Sequence, residues 1–185
     1  MKKLMMIAAM MVAVLSANAQ NEVGQITLKP MAGVTLATLT DSDHSKFKVG
    51  FAAGVEGEYG IAPKFGITAG LLYSMQGSNY DGDDKLKLGY LNIPILANYY
   101  VIPGLAIKAG VQPGFLLSAK DEDGDDEKDD MKTFDLSIPI GASYEYKNFV
   151  FDARYNLGLT KTNKEGSKSH KNSVFMITIG YKFAL

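Results

Sequence analysis

The chain has 185 residues, with 19 basic and 20 acidic side chains, no cysteine and no tryptophan. That length suits one domain, the missing cysteines exclude a disulfide framework, and the balanced charge offers no basic patch of the kind nucleic acid requires.

The first segment reads MKKLMMIAAMMVAVLSANAQ. Lys2 and Lys3 form a charged start, Leu4 to Leu15 an apolar stretch, and Ala17-Asn18-Ala19 an A-x-A cleavage site. This is the pattern of a secretory signal peptide over 1–19, too short to span a membrane as a helix. The mature chain then runs 20–185, with no cysteine to carry a lipid anchor. Removing Lys2 and Lys3 leaves 17 basic against 20 acidic residues, a net charge of −3. No later apolar run reaches the ~18 residues of a membrane helix.

From there the sequence alternates at period 2, broken by turn signals. Eight strands are predicted, at 25–37, 47–59, 64–76, 88–101, 105–118, 133–146, 149–161 and 174–183. Their connections alternate in length. Gly60 to Pro63, Ile102-Pro103-Gly104 and the two-residue Lys147-Asn148 are short turns. The segments 40–46, 77–87, 121–130 and 163–172 are longer and polar. Short turns at one end and long loops at the other is the layout of a membrane barrel.

One register of every strand is apolar. The third gives Phe65, Ile67, Ala69, Leu71, Tyr73 and Met75; the last gives Phe175, Ile177, Ile179, Tyr181 and Phe183. None of these register positions is charged in any strand, although 21% of the chain is. The other register carries Lys29, Lys48, Glu56, Glu58, Lys108, Asp135, Glu145, Asp152, Arg154 and Lys182, interleaved with glycines. A water-soluble barrel with a ligand cavity would turn the apolar register inward. Two features favour the reverse. Aromatic residues cluster at both ends of the apolar register: Tyr59, Phe65, Tyr99, Tyr146, Phe149 and Phe183 by the short turns, and Phe47, Tyr73, Phe115, Phe134 and Phe175 by the long loops. Two such girdles match the headgroup levels of a bilayer. The glycines also lie on the charged side, where a narrow interior needs small residues. The expected fold is therefore all-β: an eight-stranded antiparallel up-and-down transmembrane barrel, lipid outside and a charged network inside. Lipid cannot satisfy an open strand edge, so the last strand should pair with the first.

Segments LKPMAGVTLATL (28–39), GLLYSMQG (70–77), LGYLNIPILANYY (88–100), FDARYNLGLTKT (151–162) and TIGYKF (178–183) resemble the outer-membrane β-barrel domain often labelled porin-family or PorT-like, with an OmpX/OmpA-like architecture. The resemblance covers nearly the whole mature chain. It implies an outer-membrane location in a Gram-negative bacterium and no agreed activity. Relatives usually end on the aromatic residue, whereas Ala184 and Leu185 follow Phe183 here.

Four candidate sites stand out. In the acidic loop, Asp121, Asp123 and Asp125 occupy alternate positions, as oxygen ligands of Ca²⁺ or Mg²⁺ do. An EF-hand starting at Asp121 would want glycine at its sixth position and glutamate at its twelfth, where the chain has Asp126 and Lys132, so the loop is read first as a solvated, self-repelling segment with no bound metal. Asp41-Ser42-Asp43-His44 and Ser169-His170 hold both histidines; a lipid-modifying acyl-transfer site is the remote alternative there, and the chain is read as no enzyme, with no cofactor. The interior charges are read as a salt-bridge network rather than a conduction path, because eight strands leave an interior that side chains fill; a narrow small-solute channel is the alternative. Pro94, Pro113 and Pro139 each remove a ladder donor and are expected to mark local bulges. The functional expectation is a monomeric structural or interaction protein. Its acidic loops would meet partners or lipopolysaccharide counter-ions, and its terminal strand the barrel-assembly machinery.

Overall fold

The computed structural model describes residues 22–40, 48–79, 85–120, 132–160 and 171–185. Ten strand segments follow in order: β1 (Ile26–Thr40), β2 (Lys48–Ala62), β3 (Phe65–Asn79), β4 (Lys85–Asn92), β5 (Ile95–Ile102), β6 (Leu105–Lys120), β7 (Phe134–Tyr146), β8 (Phe149–Gly158), β9 (Lys171–Tyr181) and β10 (Phe183–Ala184). β4 and β5 are two halves of one span, interrupted at Ile93 and Pro94, and β9 and β10 are two parts of another, interrupted at Lys182. Eight spans result, and every pairing is antiparallel.

The sheet closes on itself. β1 pairs with β9 from Met31↔Gly180 to Thr40↔Lys171, and with β10 at Leu28↔Phe183 and Thr27↔Ala184. The two residues beyond Phe183 extend the closure, since Leu185 donates its backbone N–H to Ile26 at 2.9 Å.

The apolar register faces outward and the charged register inward. Ile67 is 47% exposed and Ile107 53%, while Glu56 and Arg154 are each 1% exposed. This is opposite to a soluble barrel, and it follows from the alternation alone: consecutive side chains point to opposite faces of a strand.

Several strands run further than the periodicity predicts, mostly at the long-loop end, whereas β8 stops at Gly158, short of the predicted 161. β1 reaches Thr40, β3 reaches Asn79, β4 begins at Lys85 and β9 begins at Lys171. Backbone pairing continues there after the apolar alternation has given way to polar residues, because the ladder needs only main-chain groups.

The prolines do not mark bulges. Register shifts occur at Gly60/Ala62, Gly89/Tyr90 and Tyr100/Ile102. Around Pro94, Pro113 and Pro139 the register is unchanged on both sides. What the prolines do is remove single rungs. Gly70 N–H donates to Pro94 O at 3.1 Å and Ile93 N–H to Pro113 O at 2.8 Å, so each proline sits at a hydrogen-bonding position and supplies only its acceptor. Between β6 and β7, pairing lapses from Ala109↔Ile140 to Gln112↔Ser137, opposite Pro139.

Candidate functional site: charged groups across the barrel interior

Arg154 projects inward from β8 and binds two carboxylates at once. Its Nη1 and Nη2 donate to Glu56 Oε1 and Oε2 at 2.5 and 2.9 Å, a two-pronged contact across the lumen to β2. Its Nε and Nη2 donate to Asp152 Oδ1 and Oδ2 at 2.5 and 3.0 Å. Lys29 from β1 meets Glu56 Oε2 at 2.8 Å, and Lys108 from β6 meets Asp152 Oδ2 at 2.9 Å. All five side chains are buried. A planar guanidinium suits this place because its fixed fork matches two carboxylates, where an ammonium would act as a point charge.

Nearby glycines make the layer possible. A Cβ at Gly70 would stand 2.7 Å from Glu56 Cγ, and one at Gly180 would stand 2.8 Å from Lys29 Cγ. The inward glycines therefore leave volume for the stems of the charged chains.

A second cluster lies toward the short turns. Lys182 meets both carboxylate oxygens of Glu145 at 2.9 Å. The Tyr100 hydroxyl stands 2.8 Å from Glu58 Oε1 and 3.0 Å from Glu145 Oε1, and the Lys182 ammonium lies 5.8 Å from the centre of its ring. Across the two clusters, Lys29, Lys108, Arg154 and Lys182 balance Glu56, Glu58, Glu145 and Asp152. A cavity of about 10 Å³ separates the layers, between Lys29 and Glu56 on one side and Glu58, Glu145 and Lys182 on the other. That is roughly the space one water molecule needs.

Toward the long loops the lumen becomes more apolar, with Lys48 and Asp135 as its buried charges among the described residues. Met31, Ala52, Leu72 and Met176 form an apolar layer, and Leu88, Tyr90, Leu116 and Ala119 form another. Asn92 and Gln76 both donate to Ser74 Oγ at 2.8 Å.

The inward residues singled out in sequence thus divide. Eight of the ten, Lys29, Glu56, Glu58, Lys108, Glu145, Asp152, Arg154 and Lys182, fall into the two clusters. Asp135 stands apart and accepts from Thr160 Oγ1 at 2.5 Å. Lys48 is buried at the start of β2, near the long-loop end. Tyr100, Leu72, Leu88 and Leu96 also point inward; alternation puts them opposite the apolar register, but the charged residues were the only inward side chains singled out in sequence, so these four were missed.

Of the aromatic girdles, Tyr59, Phe65, Tyr99, Phe115, Phe134, Tyr146, Phe149 and Phe175 are exposed on the outer face, and Tyr73 and Phe183 are half-buried there. Several stack across strands: Phe65 with Tyr99 at 4.9 Å, Phe115 with Phe134 at 5.8 Å, Tyr181 with Phe183 at 4.7 Å. Phe47, the acidic-loop residues Asp121, Asp123 and Asp125, and the histidine segments with His44 and His170 lie outside the described residues. Among the described residues no group of His, Asp and Glu could hold a metal ion.

A closed antiparallel barrel with an apolar exterior and charges paired along its axis defines a membrane-spanning β-barrel, since only full closure satisfies every backbone group in lipid. Residues 18–164 match the outer membrane protein beta-barrel domain family, and the chain belongs to it. The fold agrees with solved structures. Ail, the attachment invasion locus protein of Yersinia pestis, in complex with the heparin analogue sucrose octasulfate, aligns with TM-score 0.58 at 17% identity, over 88% of this chain and 100% of that one. Neisserial surface protein A aligns with TM-score 0.55 at 16% identity, over 91% of this chain and 98% of that one. Among curated proteins no sequence matches the chain.

Proposed function

We propose that this is a closed-lumen outer-membrane protein of a Gram-negative bacterium, of the porin-family, PorT-like kind, acting through its surface loops rather than through a pore. Residues 1–19 serve as a cleaved signal peptide and 20–185 as the barrel. The observation that carries the reading is the ionic layer. Arg154, Glu56, Asp152, Lys29 and Lys108 reach across the lumen from four strands and are fully engaged with one another. A conducting pore needs charged groups that face water and exchange partners with passing ions; here each faces a fixed counter-charge.

The loops then carry the recognition. The segment 121–130 holds eight carboxylates and one lysine. Such a run of charge attracts cationic groups, or the divalent ions that bridge lipopolysaccharide phosphates, and repels polyanions of the sulfated kind seen bound to Ail. The chain works as a monomer without cofactor or catalytic chemistry, is inserted by the assembly machinery through its last strand, and has no nucleic-acid partner.

Planar-bilayer recording on the purified barrel tests this. Silence, or rare brief events, is the expected outcome. Large, steady open channels would favour the small-solute channel and overturn the closed-lumen reading.

A further inference from the structure

The cavity of about 10 Å³ between the two charged clusters has two unlike walls. Lys29 and Glu56 bound it on the side of the Arg154 layer, and Glu58, Glu145 and Lys182 on the side of the short turns. Thr68 of β3 joins the two. None of the residues that line it is apolar.

Buried groups on these walls have hydrogen-bonding capacity left over. The charge of Lys29 is paired, but its ammonium carries three protons and the residue is 7% exposed. Among the described residues it meets Glu56 Oε2 at 2.8 Å, while Asp152 Oδ2 at 3.9 Å is beyond hydrogen-bond reach. Thr68 is 1% exposed, and its hydroxyl is engaged on one side, by Asn98 Nδ2 at 2.7 Å. On the facing wall the shortage is of donors. The Tyr100 hydroxyl stands 2.8 Å from Glu58 Oε1 and 3.0 Å from Glu145 Oε1, and a phenol has one proton to divide between them.

Size and charge together select the ligand. The volume admits one water-sized molecule. A cation there would face the ammonium groups of Lys29 and Lys182, and an anion the carboxylates of Glu56, Glu58 and Glu145. Water is neutral, accepts on one side and donates on the other, and so suits both walls. We propose that this cavity is a binding site for a single water molecule, which accepts from Lys29 Nζ, contacts Thr68 Oγ1 and donates toward the carboxylates of Glu58 and Glu145. The water joins the two clusters into one hydrogen-bonded plug running from Asp152 to Lys182. This deepens the closed-lumen reading, since the lumen is then filled without a break across both charged layers.

A crystal structure of the full barrel, at a resolution that shows ordered water, tests it. One density peak is expected within hydrogen-bond distance of both Lys29 Nζ and Thr68 Oγ1. Thr68→Leu puts carbon into the cavity and should lose the peak; Thr68→Ser keeps the hydroxyl and should keep it. If Thr68→Leu does not fold, as read from the heat-dependent gel shift, Thr27→Leu on the same wall carries the test and should also lose it. The proposal fails if the wild type shows no peak at this place, if the peak survives in the leucine variant that folds, or if the density is that of an ion with its own coordination shell. An empty cavity with silent bilayers would sink the water site and leave the lumen closed. Steady channels with the peak in place would do the reverse.

Discussion

Arg154 shows how much of the interior depends on one side chain. Among the described residues it alone contacts both Glu56 and Asp152 through paired hydrogen bonds, and the three are buried together. Arg154→Ala would leave two carboxylates facing Lys29 and Lys108 alone, with an unfilled volume between them. Breaking a buried ion pair by removing one partner costs about 3–5 kcal/mol. Arg154→Lys keeps the charge but not the fork and should fall between the two. The chain has no tryptophan, so circular dichroism during urea unfolding from lipid vesicles is the measurement. Equal midpoints for wild type and Arg154→Ala would mean that water, not Arg154, neutralises the carboxylates. At this scale the sequence was a good guide to which residues point inward and a poor guide to which of them meet. Alternation sorted Glu56 and Arg154 onto one face, but they lie 98 residues apart, and nothing in local pattern says that β2 and β8 face each other across the lumen. Asp135 illustrates the converse: it shares the charged register, yet its height on the wall gives it the Thr160 hydroxyl instead of a cation.

The strands were legible as elements because the apolar register fits a bilayer, and their ends were not, because the ladder outlasts that register. Prolines were the other misreading. A proline in a strand suggests a bulge, yet Pro30, Pro94, Pro113 and Pro139 each sit with the ring nitrogen toward a ladder acceptor, and the neighbouring pairs keep step. The local cue was right about a lost donor and silent about register, which the flanking pairs decide. Pro139 offers the clean test, since it lies inward and the lapse beside it falls between Ala109↔Ile140 and Gln112↔Ser137. Pro139→Val supplies an N–H aimed at Gly110. Its amide should be as protected from hydrogen exchange as those of its neighbours, and the restored bond should stabilise the barrel by about 0.5–1.5 kcal/mol, less whatever the proline contributed by restraining the unfolded chain. Rapid exchange at position 139 would show that the strands remain parted there for another reason.

For the whole molecule the governing feature is orientation of the two faces, and depth in the membrane is what distinguishes it from any water-soluble barrel. Ala97 and Val101 lie on the same outward register of β5, the first near the middle of the wall and the second beside the Pro103-Gly104 turn. In water the two positions are alike, and arginine at either would be tolerated. In a bilayer an arginine at the midplane of the lipid face costs about 2–4 kcal/mol, falling to about 0–1 kcal/mol near the interface. Ala97→Arg should therefore destabilise the barrel strongly and Val101→Arg hardly at all, in reversible unfolding from phospholipid vesicles. Flanking contacts sharpen the comparison, because Ala97 pairs with Ile67 and Ala109, both apolar and outward, so no counter-charge is at hand. Equal, small effects at both positions would mean that the exterior is bathed in water. The paired charges of the axis would then have to be explained as the core of a soluble barrel, which the cost of burying eight ionised groups beneath an exposed apolar coat makes untenable.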